Sequence, residues 1–127
     1  MVEELNVIDA AGPTPDGRVG LMMFEHRDWT DIDKQVQDLQ KKAQTYLSYV
    51  VDGDMVRDNP SFANKLVWFR LVCQVSPPAK AHLVFAHLQD LLSRHRIEFQ
   101  VAVFNPADKN SSVNDLISIQ RGERPGT

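Results

Sequence analysis

The chain holds one cysteine among its 127 residues, Cys73, so no internal disulfide can form, and no second Cys or His stands at metal-ligand spacing from it. A small buried hydrophobe in a reducing compartment is the expected role of that thiol, with no metal and no cofactor. Long apolar runs are missing as well. None approaches the roughly 18 to 20 residues of a membrane span, and MVEELN is acidic where a secretory signal is basic and then apolar, so cytoplasmic residence without a membrane partner is expected. There is no basic cluster either: 14 basic and 17 acidic residues give a formal net charge of −3 spread along the chain. A duplex binder normally carries a clustered positive footprint, so no nucleic-acid partner is expected. The catalytic motifs are absent too. DGRVG at residues 16–20 lacks the lysine and spacing of a phosphate loop and the pattern of a dinucleotide fingerprint, and no GxSxG, HExxH or CxxC occurs.

What is there is ordinary globular material, 43% hydrophobic and 24% charged, without repeats or low-complexity tracts. A single α/β domain over residues 1–104 is expected, followed by a polar tail over 105–127 that is expected to be partly mobile. Organisation centres on residues 30–51, where Ile32, Val36, Leu39, Ala43, Tyr46, Leu47 and Val50 recur in steps of four and three and form one stripe along a helix. Asp28 or Thr30 is the expected cap, and Gly53 the left-handed exit; Gln, Lys and Asp form the opposite, solvated face.

Around that helix the rest reads as a sheet. Residues 5–10 form a short apolar strand ended by AGPTPDG, whose prolines and glycines favour a turn, and residues 18–25 resume as the second arm of a hairpin. Residues 65–75 alternate as a central strand through Val67, Phe69, Leu71, Cys73 and Val75. Ser76-Pro77-Pro78 stops it and starts a second helix over 79–96, after which residues 97–104 alternate again. Phe62 is expected to plug the connection after the first helix, and Pro60 to end any short helix over 54–58. The order β-β-α-β-α-β predicts an α+β two-layer sandwich: a four-stranded mixed sheet with two helices on one face.

The segments NVIDAAG, DGRVGLMMFEHRDW and QVQDLQKKAQTYLSYVVDGDM together resemble a family of small uncharacterised bacterial proteins known only as a domain of unknown function. The resemblance covers residues 5–104. It implies bacterial origin and a common fold, and no reaction, ligand or catalytic residue.

Acid-base chemistry has one weak candidate place, the junction Glu25-His26-Arg27-Asp28-Trp29 between the second strand and the long helix, where open α/β sheets put ligands. His26 and Asp28 are its catalytic candidates, with Asp9 near enough to join them. The structural alternative is that Asp28 caps the helix, Trp29 is largely buried as a staple, and Glu25, His26 and Arg27 are a solvated turn. His82, His87 and His95 share the second helix without a pair one turn apart, so they hold no metal. The sheet face away from the helices is expected to carry Met22, Phe24, Trp68, Arg70, Val72 and Phe104, too apolar a set for water, and so an interface. A second copy of the chain is the favoured cover, the apolar positions within residues 113–119 the other. These features predict a non-enzymatic intracellular protein-binding module of the accessory, adaptor or toxin-neutralising type, homodimeric and open to a further protein partner. The alternative is a small enzyme or ligand-binding domain using the junction.

Overall fold

Strands form where β-branched and aromatic residues alternate: β2 (Val19–Glu25), β3 (Val67–Cys73) and β4 (Ile97–Val103), with a shorter β1 (Ala10–Pro13). Helices occupy Ile32–Val51 (α1), Asp54–Asp58 (α2) and Ala79–Ser93 (α3), and a 3-10 turn spans Pro60–Phe62. These come from a computed structural model that describes residues 1–104. The expectations for the tail over 105–127, including its segment 113–119 as a cover, lie outside the described residues.

Spatial order follows chain order, β1-β2-β3-β4. β1 is antiparallel to β2, as a hairpin requires, and β2, β3 and β4 are parallel because each link between them carries a helix back across the sheet. Both long helices land on the same side. Leu21, Met23, Phe69, Leu71, Phe99 and Val101 of the sheet meet Leu39, Ala43, Tyr46 and Leu47 of α1 and Phe85, Leu88 and Leu92 of α3 in one core. Tyr46 stands edge-on to Phe69 with ring centres 5.6 Å apart, and Phe85 tilts against Phe99 at 6.2 Å. Each fully buried aliphatic or Phe side chain contributes about 1.5–3 kcal/mol, so this layer dominates the stability. The architecture is the α+β sandwich with a mixed four-stranded sheet that the pattern predicts.

The first strand is not over 5–10. β1 begins where the apolar run ends, pairing Ala10 with Met22 through Pro13 with Val19. Among the described residues β1 lies at the edge of the sheet, a position where a proline without an N–H is tolerated. The hairpin turn closes with the Thr14 amide donating to the Arg18 carbonyl at 2.9 Å, and Gly17 takes φ +82. Residues 5–9 are claimed by the helix instead: Lys42 on α1 donates to the Glu4 carbonyl at 2.8 Å and to the Asp9 carboxylate at 2.7 Å.

That contact overturns the expectation of a wholly solvated polar face on α1, since Gln35, Asp38 and Lys42 are all buried. The amino-terminal segment at Lys42 and the β2–α1 link at Asp38 fold over this flank of the helix. Helix entry differs as well. Asp31 is the first cap position and makes no side-chain bond, while Asp28 accepts from the Thr30 hydroxyl at 2.8 Å rather than capping α1. At α3 the cap position is Pro78, not Ser76. Gly53 does take the left-handed exit, at φ +88, and Phe62 is buried as the plug.

Candidate functional site

The β2–α1 junction is built from opposite charges brought out of water. Glu25, the last residue of β2, is 1% exposed and faces the helix layer. Arg27 two residues on turns back on it with a two-pronged contact, Nε to one carboxylate oxygen at 2.8 Å and Nη2 to the other at 2.9 Å. Its Nη1 donates to Asp38 at 3.1 Å, and Lys34 donates to the same Asp38 at 2.9 Å. The corner is a lock between strand and helix, not the solvated turn expected for Glu25 and Arg27. Burial by itself would raise the Asp38 carboxyl, but the bonds from Lys34 and Arg27 outweigh it and hold the group below the usual carboxylate range. Cys73, buried beside Glu25, is pushed upward, first by burial and then by that carboxylate, so the thiol is inert.

His26 faces solvent as expected, its Nε2 2.7 Å from Glu3. Trp29 is only partly buried: its Nε1 donates to the Val75 carbonyl at 3.0 Å, and its ring stands edge-on to Phe85 at 6.5 Å. The staple spans to the end of β3 rather than sinking into the core, because the indole N–H needs an acceptor and the exposed loop supplies one.

Asp9 is drawn elsewhere. Its carboxylate accepts from Lys42 and, at 3.0 Å, from the Phe24 amide, and its own amide donates to the Tyr46 hydroxyl at 2.8 Å. Tyr46 in turn donates to the Met22 carbonyl at 2.5 Å. Burial would raise Asp9, yet the Lys42 ammonium, the Met1 ammonium at 2.8 Å and the Phe24 N–H win and hold it low. No hydrogen bond joins any two of His26, Asp28 and Asp9, so the structure does not bring the catalytic candidates together. Sequence reasoning missed Lys42, which is fully buried. A signal was available: Lys42 stands three residues after Leu39 and four before Tyr46, both on the buried stripe.

The other face of the sheet carries Gly20, Met22 and Phe24 from β2, Trp68, Arg70 and Val72 from β3, and Glu98, Gln100 and Ala102 from β4, as the register dictates. Trp68 packs on Gly20, and a Cβ at that glycine would come within 2.2 Å of the indole ring. The Arg70 guanidinium stacks on the indole, 4.2 Å from the ring centre, and its Nε donates to Gln100 at 2.9 Å. Arg18 reaches Glu98 at 2.6 Å. Trp68 is therefore 6% exposed and Val72 7%, where an open apolar patch was expected; polar β4 partners and a glycine floor close most of it. Met22, Phe24, Arg70 and Phe104 remain partly exposed.

Two depressions mark this face. One, of about 600 Å³, lies between the β1–β2 hairpin and Met22, Trp68 and Arg70. The smaller, of about 230 Å³, is lined by Phe24, Val72 and Phe104 with His26 and Gln74 at its edge. The six residues expected at an interface divide between them. The histidines of the α3 segment, His82, His87 and His95, are exposed, with His82 packed 5.5 Å from Phe85. Among the described residues no group of three or more His, Cys, Asp or Glu could hold a metal ion, and no helix is long and apolar enough to cross a membrane.

No curated protein and no solved structure matches the chain. A protein-family model does match, over residues 1–105, which takes in all the residues that the structure describes, the charged corner and the helix-free face among them. The chain belongs to that family, a family of unknown function (DUF6572).

Proposed function

We propose that the protein is a non-enzymatic, cytoplasmic protein-binding module that presents the helix-free face of its sheet to a partner, in the first instance a second copy of itself. One observation carries this: both depressions on that face are lined by its partly exposed apolar and stacked residues, Met22 and Arg70 in one, Phe24 and Phe104 in the other. A buried Trp68 at the first of them gives the surface a rigid part, the arrangement in which an interface loses least side-chain entropy. A two-fold contact uses the face twice and needs only about 800 Å² per subunit. The candidate acid-base groups support the same choice, since Asp9, Asp28 and His26 are each engaged in separate local contacts. The inert lone thiol fits a reducing compartment, and bacterial origin belongs to this reading through the sequence resemblance. An accessory, adaptor or toxin-neutralising role follows from binding without chemistry.

Small-angle scattering across a concentration series tests it. A compact monomer of this length has a radius of gyration of about 14 Å. The expected result is a larger value that falls to the monomer value in Met22→Asp/Phe24→Asp, with the circular-dichroism spectrum unchanged. A wild-type value near 14 Å at every concentration overturns the self-association.

A further inference from the structure

At the opposite end of the sheet from the charged corner, a depression of about 460 Å³ lies beside the last turn of α1 and the amino ends of β3 and β4. Its volume is within the range of small-ligand sites. Lys65, His95 and Arg96 line it together with Asn64, and Val50 and Leu66 supply apolar wall, Leu66 being 52% exposed. Among the described residues, Arg18, Arg27, Lys34, Lys42, Arg57, Lys80 and Arg94 each contact a carboxylate, and Arg70 stacks on Trp68, while Lys41 stands exposed on α1 away from any depression. Lys65 and Arg96 have no ion pair among the described residues, and they are brought to one depression from two separate connections in a chain of net charge −3.

Arg96 is also strained. Its φ is +61, a left-handed conformation that glycine or asparagine adopts at little cost and that a long side chain resists. Asn64, at φ +64 on the same depression, is the residue type such a position favours; Arg96 is not. A cation near the carboxyl end of α3 is expected from the helix dipole, and Arg94, paired with Asp90 at 2.9 Å, stands at that end already. The dipole of α3 gives no reason for Lys65, which arrives from the segment before β3. Backbone strain kept at a position that aims charge at a cavity is a mark of a binding site.

We propose that this depression binds an oxyanion carried on an apolar body, the chemistry of a phosphate monoester, with the Arg96 fork and the Lys65 ammonium on the phosphate and Leu66 and Val50 against the apolar part. The site is independent of the helix-free face. The test is titration of the isotope-labelled protein, followed by amide NMR, with inorganic phosphate and with phenyl phosphate. Expected are shifts confined to residues 64–67 and 95–97, tighter binding of the ester than of phosphate, and weakening by about tenfold or more in Lys65→Gln and in Arg96→Gln. Arg96→Gly should lose binding while its melting temperature holds or rises, because glycine relieves the strain. Shifts spread equally over Lys34, Lys80 and Arg94, no shift at all, or an ester that binds no tighter than phosphate would overturn the proposal. So would a lowered melting temperature in Arg96→Gly combined with unchanged phosphate affinity, which would make Arg96 a structural residue.

Discussion

The two faces of the sheet are closed by different means. On the helix side, closure comes from depth: Leu, Phe and Tyr side chains from α1 and α3 interlock with the strands, and Lys42 and Arg27 tie the flanks of α1 to chain segments outside the helix. On the other side a single indole lies on a glycine, capped by an arginine that a glutamine holds in place. The first arrangement makes a core. The second makes a firm surface that still has depressions in it, and the difference teaches that low exposure of an aromatic does not by itself place it in a core.

The largest effect should come from the helix side. Lys42→Met takes from the Asp9 carboxylate, 4% exposed, the buried one of its two ammonium partners and leaves the Met1 ammonium at 2.8 Å, so the cost should approach without exceeding the roughly 3–5 kcal/mol of breaking a buried pair. Urea denaturation reads this directly. Asp9 and Asp38 are both held low in the fold, so their contribution to stability is present above the unfolded carboxylate value of about 3.9 and lost as pH falls through the folded values. Wild-type melting temperature should therefore decline below about pH 4, whereas the deficit of Lys42→Met should shrink there because a protonated Asp9 no longer needs the Lys42 ammonium. A deficit that stays constant with pH would show that the lysine acts by packing alone.

Next is Gly20→Ala on the other face. The added methyl must displace the Trp68 ring, and such overpacking costs about 1–3 kcal/mol. Tryptophan fluorescence should shift to the red as the indole lifts toward water. Full stability with an unchanged spectrum would mean that Trp68 is not held against the glycine, and the contrast between the faces would fail.

Trp29→Ala is expected to cost less than the roughly 3–5 kcal/mol of a buried aromatic, about 1–2 kcal/mol, because the indole is partly exposed and gives up one hydrogen bond to Val75. Thermal melts distinguish the two ranges. The smallest effect belongs to Lys80→Ala, whose pair with Asp33 joins two exposed side chains at 3.2 Å; no change in melting temperature should be measurable. A clear loss would show that the start of α3 depends on α1 more than the surface contact suggests.

Much of this was legible because period is a local property. Steps of three and four place Leu39, Ala43, Tyr46 and Leu47 on one side of α1 wherever that helix goes, and alternation separates Phe69 and Leu71 from Trp68 and Arg70 before any partner is known. β1 was misplaced because strand assignment at an edge depends on which segment the neighbour can ladder with: Ala10–Pro13 reached β2, while Glu4 and Asp9, at the two ends of the expected strand, went to Lys42. The junction was found as a place, and its partners were not. His26, Asp28 and Asp9 have suitable groups, but each one's partner lies elsewhere: Glu3, Thr30 and Lys42.

What the sequence determined by itself is the set of elements, their amphipathic sides and the absence of recognisable catalytic motifs, since each depends on residues within a turn or two of one another. Tertiary structure alone decided which charges were buried and which surface stayed open. Lys42 and Arg27 read as solvent residues until distant carboxylates met them out of water, and Trp68 read as an exposed aromatic until Gly20 of the neighbouring strand gave it a floor. A charge or a ring has no fixed preference of its own between water and interior; the partner across the fold sets the sign, and that partner is specified by no local pattern.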